Sequence, residues 1–318
     1  MNAALKLRFV LILNTLTPVF LLIAIGVVLQ RSGFVSEGFL REANRLTYWL
    51  GLPALLFSQL VSAMHGTSAA QAILMAQLTA TGVVIGLAYL AAVLLRVPGS
   101  GAGTFVQAGF RGNLAFVGLP IIYAMPDATL PGGMSIRTAA VLTVAPMMVV
   151  YNVAGVVVLL LSQHPIHVRM IPPFVKQLAT TPPLLAALAG LVFVLMDWTL
   201  PASLDKTFNA LGEMALPLGL LGVGGSIVTV KFGRNWHVPL AAALVKTALS
   251  PLIGWLVGRW FGLDPLALKM VMIFMATPSA VVSYTMALEM KGDGGLASGA
   301  IVMSVLTSVV TLAVILAI

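Results

Sequence analysis

Apolar residues run along this chain in blocks of about twenty, separated by short segments that hold most of the charges and turn residues. The blocks lie near 10–29, 46–64, 72–95, 104–125, 138–161, 182–200, 207–230, 238–261, 266–288 and 296–317. A helix needs about 20 apolar residues to cross the hydrocarbon core of a bilayer, so each block predicts a membrane-spanning helix. Lys6 and Arg8 ahead of the first block outline a signal peptide. No clean small-residue cleavage site follows, so the block is read as the first span. Ten spans place both termini on one side. Taking the N-terminus as outside leaves nine Lys and Arg in the cytoplasmic segments and six in the outer ones, with Arg111 and Lys246 inside spans. That asymmetry favours both termini on the outer face.

The chain also matches itself at a shift of 164 residues. Thr17-Pro18 falls on Thr181-Pro182, Gly26 on Gly190, Leu52-Pro53 on Leu216-Pro217, Leu56 on Leu220 and Phe110 on Phe274. The shift carries span 1 onto 6, 2 onto 7 and 4 onto 9, so each repeat holds five helices, 1–163 and 164–318. An odd number inverts the second copy relative to the first. Inverted repeats are a secondary-transporter architecture, with the site near mid-membrane where the copies meet.

Corresponding spans 4 and 9 carry helix breakers in their middles: Arg111-Gly112-Asn113 with Gly118-Leu119-Pro120, and Ala276-Thr277-Pro278-Ser279. Proline removes a backbone hydrogen bond and obstructs the preceding turn. Freed backbone groups survive at membrane depth only where protein or a water-filled cavity satisfies them. The expectation is two segments, marked by Pro120 and Pro278, that are unwound and cross at the midplane. Half-helix N-termini there would suit an anion. Asn113 is expected to bind that anion, assisted by backbone N–H groups near Pro120 and Ser279 and by Thr277.

These residues resemble the auxin efflux carrier family: Asn113 with Gly118-Leu119-Pro120, Ala276-Thr277-Pro278 with the stretch ending Lys291-Gly292-Asp293, Gly51-Leu52-Pro53, and Pro217-Leu218-Gly219-Leu220. The resemblance covers nearly the whole chain. It implies a ten-helix, five-plus-five inverted-repeat fold similar to bile-acid/sodium symporters. It also implies a site shaped by Asn113, Leu52, Pro120 and Pro278, and carboxylate substrates. Thr180-Thr181-Pro182-Pro183 stands where the plant carriers have a polar amide, which argues against auxin itself.

Composition agrees with a lipid-facing surface: 60% of the 318 residues are hydrophobic and only 8% charged, against about 25% charged in soluble domains. Cysteine is absent, which removes disulfides and thiolate chemistry. The net charge of +8 is dispersed over connecting segments, without the basic stripe that nucleic-acid binding needs.

Arg111 is open to two readings, an anion partner or a snorkelling cation; Lys246 reads as snorkelling, with proton coupling as the alternative. Glu213 reads either as a proton or cation site or as a structural carboxylate at a helix start. His164-Pro165-Ile166-His167 lacks a third metal ligand and reads as a solvated loop. Gly99-Ser100-Gly101-Ala102-Gly103 reads as a flexible connector, and the glycines of 222–225 as close helix packing.

The sequence therefore predicts an all-α multi-pass protein of the cell (inner) membrane, a carrier of small mono- or dicarboxylate anions working by alternating access. A small-anion channel and an intramembrane enzyme are the alternatives, the latter lacking any nucleophile–base or metal set. No cofactor is expected, Na+ or H+ coupling is left open, and a homodimer is compatible.

Overall fold

A computed structural model describes residues 3–61, 67–162, 182–196, 198–229 and 236–318. His164, His167, Thr180, Thr181 and the loop cations Arg169, Lys176, Lys231 and Arg234 lie outside the described residues. In order, the helices are α1 (Ala3–Arg31), α2 (Glu37–Leu46), α3 (Leu52–Val61), α4 (Thr67–Leu94), α5 (Gly99–Phe110), α6 (Leu119–Ala124) and α7 (Ile136–Leu161). They continue with α8 (Pro182–Leu195), α9 (Ala202–Thr229), α10 (His237–Leu244), α11 (Ser250–Trp260), α12 (Pro265–Ala276), α13 (Val282–Glu289) and α14 (Gly294–Ala317). Among the described residues, five stretches are long and apolar enough to cross a membrane: Leu13–Arg31, Ala70–Leu94, Ile136–Leu161, His237–Trp260 and Gly294–Ala317.

Polar caps set the helix starts. Ser36 Oγ accepts from Phe39 N–H at 3.0 Å, Asp264 Oδ1 from Leu266 N–H at 3.0 Å, and Asp293 Oδ1 from Leu296 N–H at 2.9 Å. Three wide π-turns, Thr47–Gly51, Leu114–Gly118 and Val245–Leu249, each end two residues before a proline: Pro53, Pro120 and Pro251. A proline cannot donate to the carbonyl four residues back and its ring crowds that carbonyl, so a local widening of the turn relieves the clash without ending the helix.

The helices pack as two groups. α1, α2, α3, α8 and α9 lie against one another, while α4, α5, α7, α10, α11, α12 and α14 form the other assembly. Within the first group small residues bring backbones together: a Cβ on Gly26 would collide with the Leu221 carbonyl, and one on Gly224 with that of Ile23. The glycines of 222–225 are packing residues, as the sequence suggested. Gly99–Gly103 is not a connector. It forms the opening turns of α5, and Gly103 is pressed against Val158 and Leu159 of α7. Outward-facing Leu90, Val93, Leu94, Leu188, Leu256, Leu306 and Val310 are exposed, an apolar exterior suited to acyl chains.

Two helices are interrupted in the interior, between α5 and the π-turn at Leu114, and between α12 and α13. The interruptions meet as a short antiparallel bridge, Gly112 opposite Ser279. Asn113 N–H donates to the Pro278 carbonyl at 2.8 Å and Ala280 N–H to the Arg111 carbonyl at 3.0 Å. Pro278 sits in its break, but Pro120 does not mark the other one. The unwound residues are 111–113, and Pro120 is absorbed in the first turn of α6 by the π-turn before it. Gly112 is required where it stands, since a Cβ there would collide with Thr277 Oγ1 and approach Lys246 Cε to 3.0 Å.

Gly112→Ala is expected to cost about 1–3 kcal/mol, the scale of overpacking a filled interior, read as a lowered melting temperature in detergent. Gly82→Ala, where a Cβ meets nothing within 4 Å, should leave the melt unchanged.

Candidate functional site

A cavity of about 270 Å³ opens at the crossing. Arg111, Gly112, Asn113 and Leu114–Phe116 come from one interrupted helix and Ala280–Val282 from the other; Tyr48, Leu52, Met148, Tyr151 and Asn152 complete the wall. Both second half-helices begin on this cavity, and the first amides of a helix have no acceptor within it.

Asn113 is 5% exposed, and its Oδ1 accepts from Phe116 N–H at 3.2 Å, capping the start of the second half-helix. That bond fixes the amide so that Nδ2 is its remaining donor, with no partner among the described residues. Arg111 ends α5 and is also 5% exposed. Its guanidinium donates from Nη2 to Asn152 Oδ1 at 2.5 Å and from Nη1 to the sulfur of Met286. Arg111 is therefore turned into the protein and does not snorkel. Its partners are neutral, and no described acidic side chain pairs with it. Leu52 is fully buried and lines the cavity.

The other expected residues serve the crossing itself. Thr277 Oγ1 donates to the Phe274 carbonyl at 2.7 Å, closing the end of α12. Ser279 Oγ donates to the Ala108 carbonyl at 2.7 Å, and its backbone N–H to Ser304 Oγ at 2.9 Å, so the expected Ser279 amide is already committed. Lys246, expected to snorkel, is fully buried and donates to the Met275 carbonyl, a cation at the carboxyl end of α12 where the helix dipole is negative. Pro120 lies away from this cavity, on a second one described below.

Sequence reading missed Tyr48, Tyr151 and Asn152. The polar pair Tyr151-Asn152 inside the apolar run 136–161 was a visible signal, because a polar side chain at that depth faces protein or a cavity. The arrangement can hold a small anion: a buried cation, an oriented amide donor and helix-start amides lie on a wall completed by Tyr48, Tyr151, Asn152 and apolar side chains.

The cap predicts a separation of fold from binding. Asn113→Ala removes the acceptor for Phe116 N–H and should lower stability by about 0.5–2 kcal/mol. Asn113→Asp keeps an acceptor and should melt near the wild type. Paired melting curves without ligand check this.

Comparison with known proteins places the chain. Over 304 residues it is 25% identical to a protein of Methanothermobacter thermautotrophicus described as an uncharacterized transporter, covering 94% of this chain and 95% of that one. Residues 11–165 and 157–316 each match the family described as Membrane transport protein. This multi-pass, all-helical chain accordingly belongs to that family of membrane transport proteins, the auxin efflux carrier family.

Proposed function

We propose that this transporter is a carrier for a small organic carboxylate, working by alternating access around the crossing cavity. The observation that carries the proposal is Arg111, a buried guanidinium with neutral partners on the wall of a cavity. A buried charge is costly unless it is paired, and an anionic ligand supplies the missing partner. Asn113 Nδ2 adds a hydrogen bond without a second fixed charge, which lets the anion leave again. The two packing groups, with the crossing held in one of them, support a mechanism in which one group moves past the other.

The chain is proposed to form ten spans in two inverted halves, 1–163 and 164–318, lying in the cell (inner) membrane with both termini outside. The matched stretches 11–165 and 157–316 and the near-equivalent positions of the two breaks support that reading. Coupling to Na+ or H+ and assembly as a homodimer are open to the same reconstituted preparation.

The test is a thermal-shift panel of acetate, benzoate, malonate and succinate on the purified protein, with the matching amides as neutral controls. Carboxylates, and not amides, should stabilise the wild type. Arg111→Gln should abolish the shift, and Asn113→Asp should weaken binding by about 1–3 kcal/mol or more. Equal shifts for amides, or an unchanged carboxylate shift in Arg111→Gln, would sink the proposal. Saturable counterflow in proteoliposomes separates a carrier from a channel. Introduced cysteines near residue 2 should react with an impermeant reagent from outside.

A further inference from the structure

A second cavity, of about 430 Å³, lies between α1, α3, α6, α9 and the first turn of α7. Its apolar wall includes three prolines from three helices, Pro18, Pro120 and Pro217. Each lacks an N–H, so the carbonyl four residues before it loses its helical donor. The polar wall is Tyr123, Arg137, Asn209 and Glu213. The Asn209 amide is committed to Asp205, donating to its carbonyl at 2.9 Å and its carboxylate at 3.0 Å. Arg137 donates from Nη2 to the Tyr123 carbonyl at 3.1 Å, and its guanidinium lies 5.5 Å over the Tyr123 ring.

What remains on this wall has no partner. Arg137 Nε and Tyr123 Oη are both buried without a hydrogen bond among the described residues. Arg137 and Glu213 line the same cavity but form no ion pair. Glu213 is not a helix-start carboxylate either; it lies well inside α9. Buried donors of this kind are costly when empty-handed, and both belong to side chains on this wall, beside the exposed carboxylate of Glu213; a rotation that brings them to the cavity gives them a polar occupant to bind.

The two cavities lie in series. Leu52 and Phe116 line the first, while Leu55 and Pro120, one turn further along the same two helices, line the second. Between them Phe116 packs against α9 at Gly219, where a Cβ would collide with the ring. The second cavity takes Tyr123, Ala124 and Arg137 from the α6–α7 end of the molecule, and the first takes Tyr151 and Asn152 from further along α7.

We infer that the second cavity is a second station for the transported organic anion, between the crossing and the α6–α7 end. The Arg137 guanidinium and Tyr123 Oη, rotated toward the cavity, hold the carboxylate there, and the exposed Glu213 accepts from a hydroxyl or ammonium group on ligands that carry one. Phe116 against Gly219 is the partition the ligand passes. The inference rests on the carrier reading for the identity of the anion, but occupancy of each cavity is measurable separately.

The probe is 4-bromobenzoate, with 4-bromobenzamide as the neutral control, added to crystals of the full chain and located by bromine anomalous scattering. Equilibrium dialysis in detergent counts the bound probe. The wild type should show a peak in each cavity and two molecules bound per chain. Arg137→Gln and, as a second variant, Tyr123→Phe should each lose or weaken only the second peak, with Arg137→Gln falling to one bound molecule. Arg111→Gln should lose only the first. A single peak at the crossing overturns the second station and leaves the carrier reading standing. A single peak at Arg137 overturns the crossing site instead. A second peak that survives both Arg137→Gln and Tyr123→Phe, or that forms equally with the amide, overturns the assigned chemistry. Empty density at both overturns both.

Discussion

A helix that stops inside a hydrocarbon slab must pass its backbone hydrogen bonds to other groups, because neither water nor lipid will take them. In this protein two helices stop, and each answers for the other. The bridge between Gly112 and Ser279 exchanges backbone bonds across the gap. Side chains close what the bridge leaves: Ser279 on Ala108, Thr277 on Phe274, Lys246 on Met275, Ser304 on the Ser279 amide. The cavity, the helix starts that face it and the position of Arg111 all depend on this knot of about ten residues.

The knot divides labour among residues that look equivalent in sequence. Those that satisfy backbone at the crossing, Thr277, Ser279 and Lys246, have little left for a ligand. Those on its open side, Arg111 and Asn113, keep donor capacity. A buried cation is tolerable in either place for a different reason. Lys246 meets the negative end of a helix, whereas Arg111 has only an amide oxygen and a thioether to face. Prolines show the same division. Pro278 lies in a break, while Pro53, Pro120 and Pro251 follow π-turns that keep their helices continuous.

Membership of a transport family, and a polar crossing with a buried cation that meets no acidic side chain among the described residues, are the two facts on which the proposed anion carrier stands. α1, α2, α3, α8 and α9 pack mainly against one another, and the proposed alternating access would run along their boundary with the rest. Glycine contacts such as Gly26 on Leu221 bring the backbones of the smaller group close together.

The sequence by itself determined the solvent, the helical class and the approximate places where two helices fail. Each of these follows from local features: block length, charge depletion and helix breakers in phase. It also singled out Arg111 and Asn113, because polar residues at membrane depth have few bland roles, while Leu52 came only from the family resemblance. It could not distinguish Pro120 from Pro278, since a proline reports a missing donor but not whether a π-turn absorbs the loss. Nor could it say that Lys246 turns inward, that the Ser279 amide is already taken, or that Tyr48, Tyr151 and Asn152 join the wall. Those facts are set by which helix faces which, through contacts between different helices, 29 positions apart for Lys246 on Met275 and 25 for the Ser279 amide on Ser304. Only the packed structure decides them, because the direction a side chain takes at membrane depth is fixed by the neighbour that satisfies it.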